Sequence, residues 1–375
     1  MKHYFIVILL FFSCKTFLFR DKDSDLKTVK FSVTGDIMCH STQITSAYKK
    51  DCDCYDFDPV FNRVSSLLHM GDITIGNFET TLPGDKKEYT GYPTFGAPDS
   101  LAVAAKNSGF DILTLSNNHC LDKGKKGVER TIDLMDSIGI KHLGVYKSED
   151  DFKKRRVLLY EKKGIRFAFL AYTYGTNGIM IPKGIHVNLI DKQAISEDIK
   201  IAREMKPDFI IVYFHFGPEY ARMPDKSQLE TVEHTFNEGA DIVLGGHPHV
   251  LQPYELKFLK DKYGQVKKRL VIYSLGNFVS GQYKRYTDGG IIFNFTVSMK
   301  NESGKIVKDI KNINYMPVWV YVANHPLGYS YNIVPVEKYL NNDFNPSLTK
   351  DARKKMMDFY KDTVTHLDGN SKLEN

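Results

Sequence analysis

The feature that most constrains the fold is an alternation between short apolar runs and segments with helical periodicity. The apolar runs are rich in β-branched residues and cover residues 29–33, 73–75, 111–115, 167–171, 209–213, 242–244 and 270–273. Helix-like patterns lie between several of these runs, at residues 59–69, 100–108, 127–137, 194–205 and 227–238. Because strands and helices alternate along the chain, the sequence predicts an α/β fold.

The pattern changes after about Asp288. Residues 291–299 alternate like a strand, residues 313–322 resemble another strand, and residues 347–366 have the periodicity of a terminal helix. We therefore predict a main domain at residues 29–300 and a C-terminal extension at residues 301–375, which contains a strand and a helix.

The N-terminus has the composition of an export signal. Lys2 and His3 precede an apolar run at residues 4–12, and Ser13 and Cys14 follow it. The apolar run is shorter than the roughly 20 residues of a membrane-spanning helix. We predict a signal peptide at residues 1–14, of the lipoprotein type, and a tether at residues 15–28. An ordinary signal peptide and an uncleaved anchor are the alternatives. A cell-envelope location follows from each of them.

Charge and cysteine content narrow the classes of partner. The formal net charge of +6 is modest for 375 residues, and no long Lys/Arg run occurs, so the composition argues against nucleic-acid binding. Four cysteines follow the signal region, and their spacing does not match a zinc finger. We interpret these cysteines as structural, and expect Cys52 and Cys54 to be too close for a disulfide. Residues 84–98 predict a long loop near the site.

Polar motifs follow the predicted strands at their carboxyl ends. They are Gly35-Asp36, Asn77-Phe78-Glu79, Asn117-Asn118-His119, His215 to Tyr220, Gly246-His247-Pro248-His249 and Ser274 to Phe278. In open α/β sheets, ligands bind beyond the carboxyl ends of strands. The motifs are therefore expected to converge on one crevice.

The residue types in these motifs suit a divalent metal ion. Imidazole and carboxylate groups bind Zn, Mn or Fe, and no thiolate is needed. His247 and His249 are separated by one residue, so both side chains would point the same way in an extended segment. A lone histidine or asparagine would more often be a packing or turn residue, but the shared position at strand ends favours ligands. The predicted ligands are Asp36, Glu79, Asn118, His215, His247 and His249.

These motifs, together with Asp122 and Gly124, resemble the CapA family, which is named for capsule and poly-γ-glutamate biosynthesis. The resemblance runs from about Phe31 to Gly290. It implies a metallophosphoesterase-like α/β/β/α sandwich with the C-terminal strand and helix extension. It also implies an anionic envelope polymer, or its precursor, as partner, and membrane-bound polymer synthase subunits as further partners.

CapA proteins are in turn similar to calcineurin-like metallophosphoesterases, from which this sequence departs at two positions. Met38 stands where those enzymes carry a histidine, with His40 two residues further on, and Glu79 stands where they carry a bridging aspartate. The resemblance implies one or two divalent ions as cofactor. The missing imidazole leaves three alternatives, which are a weaker second metal, a mononuclear site and a changed reaction.

Three functional hypotheses follow from the resemblance. The first is an exported, membrane-anchored metal-dependent hydrolase in which His119 is a general acid or stabilises a developing oxyanion. Asp122 either orients His119 or caps the following helix. The second is a non-catalytic surface subunit of a polymer synthase or exporter, and the third is a phosphodiester or nucleotide hydrolase. The expected substrate-binding residues are Asn77, Glu219, Tyr220 and Asn277, and Asn277 is also expected to hold a loop against the site.

Overall fold

The computed structural model describes residues 26–325, 328–340 and 348–374. Its strands are β1 Leu26–Ile37, β2 Tyr48–Lys49, β3 Cys54–Tyr55, β4 Ile73–Phe78, β5 Ile112–Thr114, β6 Lys141–Leu143, β7 Val145–Tyr146, β8 Leu158–Lys162, β9 Ile165–Thr173, β10 His186–Val187, β11 Phe209–His215, β12 Ile242–Gly246, β13 Leu251–Lys260, β14 Val266–Leu275, β15 Asn277–Val279, β16 Gly289–Glu302, β17 Lys305–His325, β18 Gly328–Pro335 and β19 Lys372–Leu373. The helices are α1 Ser41–Ala47, α2 Asp58–Leu68, α3 Ser100–Asn107, α4 Gly124–Ile138, α5 Glu149–Arg155, α6 Lys192–Glu204, α7 Lys226–Glu238, α8 Val336–Leu340 and α9 Lys350–Asn370.

The first of two large sheets has the order β18-β17-β16-β1-β4-β5-β6, and β15 pairs with the end of β1. Within this sheet, strands β1, β4, β5 and β6 run parallel, whereas β16, β17 and β18 are added in antiparallel register. The carboxyl ends of β1, β4 and β5 therefore lie at the same edge, which is where the polar motifs begin.

The second sheet has the order β19-β13-β14-β12-β11-β9-β8. Strands β9, β11, β12 and β14 are parallel, and β11 is buried along its whole length. A central parallel strand is covered on both faces, which explains why β11 is continuously apolar instead of alternating. Helix α7 packs outside this sheet. It begins at a capping box of Asp225 and Gln228 and ends at Gly239, whose φ is +113°.

The two sheets face each other across an apolar core. Phe31 of β1 packs against Phe167 of β9, with ring centroids 5.2 Å apart. Helices α2, α3 and α4 cover the outer face of the first sheet, and helices α6 and α7 cover the outer face of the second. A smaller cluster joins β17 and β18 to α8 and α9. The layers are helix, sheet, sheet and helix, so the predicted α/β/β/α sandwich with a C-terminal strand and helix extension is confirmed.

The observed elements differ from the predicted boundaries at both ends of the main domain. Strand β1 begins at Leu26, inside the range predicted as tether, because residues 26–28 pair with β16. Strand β16 crosses position 300, and β17 continues the same sheet, so the extension shares the sheet of the main domain. The predicted signal peptide lies outside the described residues. Within the described ranges, no helix combines the length and apolarity that a membrane span requires.

One prediction about the cysteines is wrong. Cys52 and Cys54 form a disulfide, with Cα atoms 5.2 Å apart, at the turn between β2 and β3. The hairpin turn brings the two side chains together although only one residue separates them. Cys39 and Cys120 are buried free thiols, as expected of structural cysteines.

Candidate metal centre

The polar motifs of both sheets meet at one edge of the sandwich. Asp36 lies at the end of β1 in the first sheet, and His247 follows β12 in the second. The backbone N–H of His247 donates to Asp36 Oδ2 at 3.2 Å, which ties the two sheets together at this point. The convergence at strand ends expected from the sequence is therefore present in the structure.

Asp36, Glu79 and His249 form one group of potential ligands. All three are buried, and one ligand atom from each lies within 4.8 Å of the others. His249 Nδ1 lies 3.2 Å from Asp36 Oδ2, and its Nε2 lies 3.9 Å from Glu79 Oε1. Glu79 directly follows β4, and its backbone N–H donates to Ile37, which fixes it beside β1.

Glu79 also belongs to a second group, with His215 and His247. His215 ends β11, and its Nε2 lies 3.5 Å from Glu79 Oε1 and 2.8 Å from Asn118 Oδ1. The amide oxygen of Asn118 thus faces the same space as the carboxylate. Because Glu79 is shared, the two groups are adjacent, and this is the arrangement that a bridging carboxylate requires.

The turn after β12 differs from the predicted extended segment. His247 has a φ of +96° and His249 a φ of +58°, both in the left-handed region that L residues rarely adopt. The two rings are 5.8 Å apart. His247 belongs to the group with Glu79 and His215, His249 belongs to the group with Asp36 and Glu79, and both belong to a third group with Glu219. Backbone strain of this kind costs about 1–3 kcal/mol per residue and is typical of functional sites.

The titratable groups of the cluster shift one another's pKa values. Burial opposes ionisation of Asp36, but the hydrogen bond and charge of His249 outweigh it and lower the Asp36 pKa to about 2. Burial and the nearby charge of Asp36 raise the Glu79 pKa to about 8. Burial lowers the pKa of His215 to about 3 and, with neighbouring histidines, that of His247 to about 2.

The pKa of His249 is raised, in contrast to the lowered pKa values of His215 and His247. Burial opposes its protonation, but Glu79 and the hydrogen bond to Asp36 raise its pKa to about 9. Without an ion, the cluster therefore holds protons on Glu79 and His249 at neutral pH. A cation of higher charge would replace these protons.

The donor set fits a divalent ion. Glu79 Oε1 and His247 Nδ1 are buried and have no hydrogen-bond partner among the described residues. Buried polar atoms are normally paired, so two orphan atoms in one cluster indicate a missing ligand. Carboxylate, imidazole and amide oxygen donors are those expected for Zn, Mn or Fe.

Asn77, a predicted substrate-binding residue, contacts two of the potential ligands, Asp36 and His215. The side chain is fully buried, and its Nδ2 donates to Asp36 Oδ1 at 2.8 Å and lies 3.2 Å from His215 Nδ1. Its Oδ1 accepts from Thr114 and Asn117. All of its polar atoms are used inside the protein, so none is left to contact a substrate.

Asn277 is also buried. Its Nδ2 donates to the carbonyl of Thr287 at 2.8 Å and to Gln282 Oε1 at 3.0 Å, while its Oδ1 lies 3.1 Å from His249 Nδ1. Asn277 therefore holds the loop after β15 against the site and fixes the ring of His249.

His119 and Asp122 form a buried dyad beside the ligands. His119 Nδ1 lies 2.7 Å from Asp122 Oδ2, which also accepts from the backbone N–H of Phe95. The ring of Phe95 packs edge-on against His119, with centroids 4.5 Å apart. Asp122 does not cap α4, since Lys123 is the N-cap residue. The geometry leaves Nε2 of His119 directed away from Asp122.

Position 38 provides no imidazole, and His40 does not replace it. The Nδ1 of His40 accepts from the backbone N–H of Gly281 at 3.0 Å, and the ring packs against Phe95. Burial lowers the pKa of His40 to about 4. His40 is absent from the ligand groups formed by the described residues, so it supports the wall of the site.

The mouth of the site contains predicted and unpredicted residues. Glu219 is exposed, but its carboxylate forms a third potential ligand group with His247 and His249. Tyr220 is half-exposed, 6.3 Å from the ring of His249. Tyr174, whose ring lies 4.5 Å from His247, and Asn177, which contacts Asn118, were not predicted. Both follow β9, and their position at the carboxyl end of a predicted strand is the signal that could have identified them.

Comparison with known proteins identifies relatives over most of the chain. Residues 30–282 match the family model described as bacterial capsule synthesis protein PGA_cap. The capsule biosynthesis protein CapA of Bacillus anthracis is 30% identical over 284 residues, which are 72% of this chain and 64% of that protein. The chain thus spans slightly less than two thirds of this relative.

Two further similarities are more distant. The PGA biosynthesis protein CapA of Bacillus subtilis (strain 168) is 26% identical over 304 residues, which cover 78% of this chain and 76% of that protein. The crystal structure of the calcineurin-like phosphoesterase YfkN from Bacillus subtilis superimposes with a TM-score of 0.44 and 14% identity. The match covers 91% of this chain and 99% of that one.

Proposed function

The chain belongs to the bacterial capsule synthesis protein PGA_cap family, and on that premise we propose that it is an exported metal-dependent hydrolase. It would act in the biosynthesis of a capsule or a poly-γ-glutamate-like polymer. The observation that carries the proposal is the buried cluster in which Glu79 joins two groups of ligand atoms, each within 4.8 Å. Family membership supports the process, and the cluster supports the chemistry.

Energetics favour a cation in this cluster over a purely structural role. Asp36 and Glu79 are both fully buried, and two carboxylates in one dry site repel each other. A buried charge is costly unless it is paired or coordinates a metal. Without an ion, His249 compensates the charge of Asp36 and Glu79 retains its proton, while His215 and His247 are held neutral by burial. Neutral imidazoles beside carboxylates are the protonation state that metal binding requires.

The roles of the site residues follow from their contacts. A divalent ion held by Asp36, Glu79, Asn118 and the three histidines would activate a water molecule and polarise the scissile group. His119 transfers a proton to the leaving group from Nε2, because Nδ1 is engaged by Asp122. Asp122 keeps the ring in this orientation and stabilises its positive charge during the transfer.

The surroundings of the mouth support an anionic chain as substrate. Lys284 lies with its Nζ 5.8 Å from the ring centroid of Tyr220. The exposed rings of Tyr174 and Tyr220 offer apolar faces to a flexible chain, and Lys284 offers a positive charge. We propose an anionic envelope polymer or its precursor as substrate, and membrane-bound polymer synthase subunits as partners.

We also propose that the protein acts on the outer face of the membrane, anchored through its N-terminal segment. The motive is the Ser13-Cys14 junction after the apolar run at residues 4–12. Mass spectrometry of the mature protein is expected to find lipid on Cys14 as the first residue. Cleavage elsewhere, or an unmodified Cys14, would contradict the lipoprotein form of the anchor while leaving the envelope location to be tested by fractionation.

The second candidate function is a non-catalytic subunit of a polymer synthase or exporter. The observation in its favour is Met38, which removes one imidazole, together with the engagement of His40 by Gly281. In this alternative an ion would only hold the two sheets together. The substitution of Glu79 by Gln should then weaken metal binding and stability without affecting any hydrolytic activity, because none would exist.

One experiment separates the two functions. Purified protein loaded with Mn²⁺ is assayed on bis(p-nitrophenyl) phosphate and on γ-linked glutamate oligomers, as wild type and as Glu79→Gln. His234→Ala is the matched control, since this histidine bonds to Ser196 far from the cluster. We expect turnover on one substrate class, a loss of at least about 10² in Glu79→Gln, and full activity in the control. Inactive metal-loaded wild type that still restores polymer production in cells would favour the subunit.

A further inference from the structure

In the loop that follows β9, one side chain, that of Asn177, contacts both a proposed ligand and the proposed acid. Asn177 lies in this loop with a φ of +50°, and its side chain is exposed. Tyr174 of the same loop donates to Asn177 Oδ1 at 3.4 Å. Asn177 belongs to none of the motifs that suggested the site, and no ligand group contains it.

The first contact fixes the orientation of Asn118. Asn118 Nδ2 donates to Asn177 Oδ1 at 3.2 Å, which leaves Asn118 Oδ1 facing His215 at 2.8 Å. An asparagine side chain binds a cation through its oxygen and not through its amide nitrogen. Without a partner for Nδ2, the side chain could rotate and present nitrogen to the ligand group. Asn177 therefore selects the orientation that is able to bind a cation.

The second contact is with His119. Asn177 Nδ2 lies 3.5 Å from His119 Nε2, at the long limit of a hydrogen bond. His119 Nδ1 is occupied by Asp122, so Nε2 is the ring atom left for exchange with a substrate. The amide N–H of Asn177 points at this atom and occupies the position that a leaving-group oxygen would take.

We propose that Asn177 is a positioning residue that orients the oxygen of Asn118 toward the cation and sets the hydrogen bonding of His119 Nε2. The proposal rests on the proposed function, because it assigns roles to the same site. It makes the loop after β9 part of the machinery, so a change in this exposed loop would alter metal affinity without removing a ligand.

Two variants separate the contacts. Asn177→Asp retains the oxygen that accepts from Asn118 but loses the amide donor near His119, whereas Asn177→Ala loses both. Met180→Ala is the matched control, because Met180 lies in the same loop and its side chain is 86% exposed. The side chain of Asn177 is exposed, so all three variants are expected to fold.

The test measures Mn²⁺ affinity by calorimetry and the ¹⁵N resonance of His119 Nε2, assigned with His119→Asn. One lost hydrogen bond predicts about a three- to tenfold weaker affinity in Asn177→Ala, and wild-type affinity or better in Asn177→Asp. The Nε2 resonance is expected to shift in both variants and not in Met180→Ala.

The possible failures are distinguishable. Wild-type affinity together with an unshifted His119 resonance in Asn177→Ala would overturn the role of Asn177 while the proposed function stands. An equal loss of affinity in Asn177→Asp and Asn177→Ala would show that orientation of Asn118 is not the cause, and would overturn the first half of the proposal. Wild-type protein that binds no Mn²⁺ or other transition metal would overturn the proposed function itself.

Discussion

Gly246, the last residue of β12, is where a single methyl group should disturb the candidate metal centre most directly. An alanine Cβ at this position would lie 2.7 Å from Asp36 Oδ1 and still closer to the buried hydroxyl oxygen of Tyr213. Gly246 has no positive φ, so the backbone itself would accept alanine and the cost is purely steric. Because ordinary contacts begin near 3.4 Å, the Asp36 oxygen would have to retreat by about 0.7 Å.

Two magnitudes follow for Gly246→Ala. Overpacking of a buried site costs about 1–3 kcal/mol in the free energy of unfolding, measured by urea denaturation of metal-free protein. A displacement of about 0.7 Å also exceeds the tolerance of a metal–ligand distance, so Mn²⁺ affinity is expected to fall about 10- to 100-fold. Removing the Tyr213 hydroxyl in Tyr213→Phe/Gly246→Ala should recover part of the stability, since the closest contact disappears.

Gly239→Ala is the control for this prediction. Gly239 caps α7 at the opposite end of β12 with a φ of +113°, where alanine costs roughly 1–2 kcal/mol through backbone strain. This variant should be destabilised to a similar degree but should bind Mn²⁺ like the wild type. The reasoning is refuted if Gly246→Ala keeps wild-type affinity, or if both variants lose affinity equally.

Two further predictions concern the acid and the protons of the cluster. His119→Asn should leave metal content nearly unchanged while turnover falls by roughly 10²–10⁴, whereas activity would stay intact if the histidine were purely structural. The lost bond to Asp122 is expected to lower the free energy of unfolding by about 1–3 kcal/mol in both cases. Metal affinity should rise as the pH increases from 6 to about 9, because Glu79 and His249, with pKa values raised to about 8 and 9, must each release a proton before they bind an ion. Calorimetry in buffers of different ionisation enthalpy measures this release, and a pH-independent affinity would contradict it.

The fold was largely predictable because its signals are local. The apolar runs of β9, β11 and β12 are continuous since these strands are buried on both faces, and the helices between them have strong amphipathic periodicity. The pairing of β16 with β1, which brings the β16–β17 hairpin into the first sheet, was not predictable in the same way. It joins residues more than 250 positions apart, and nothing in the local pattern of residues 301–325 specifies that they extend the first sheet.

Site residues were predictable as a set, but not in their individual roles. Strand ends bring Asp36, Glu79 and His215 together, and this follows from topology alone. Whether a buried amide faces the substrate or the ligands depends on side-chain packing, so the contacts of Asn77 and Asn277 could not be predicted. The turn at His247 and His249 has positive φ angles. A histidine in the sequence gives no indication of this backbone conformation, so the turn could not be predicted.

The proposed metal centre requires that Asp36, Glu79, Asn118, His215, His247 and His249 bind metal together. The most direct measurement is the metal content of the purified protein by inductively coupled plasma mass spectrometry, for the wild type and for His247→Ala/His249→Ala. We predict one or two transition-metal ions per chain in the wild type and almost none in the double variant, because each histidine belongs to a different ligand group around Glu79. A wild type without metal, or a double variant that retains stoichiometric metal, would contradict the account.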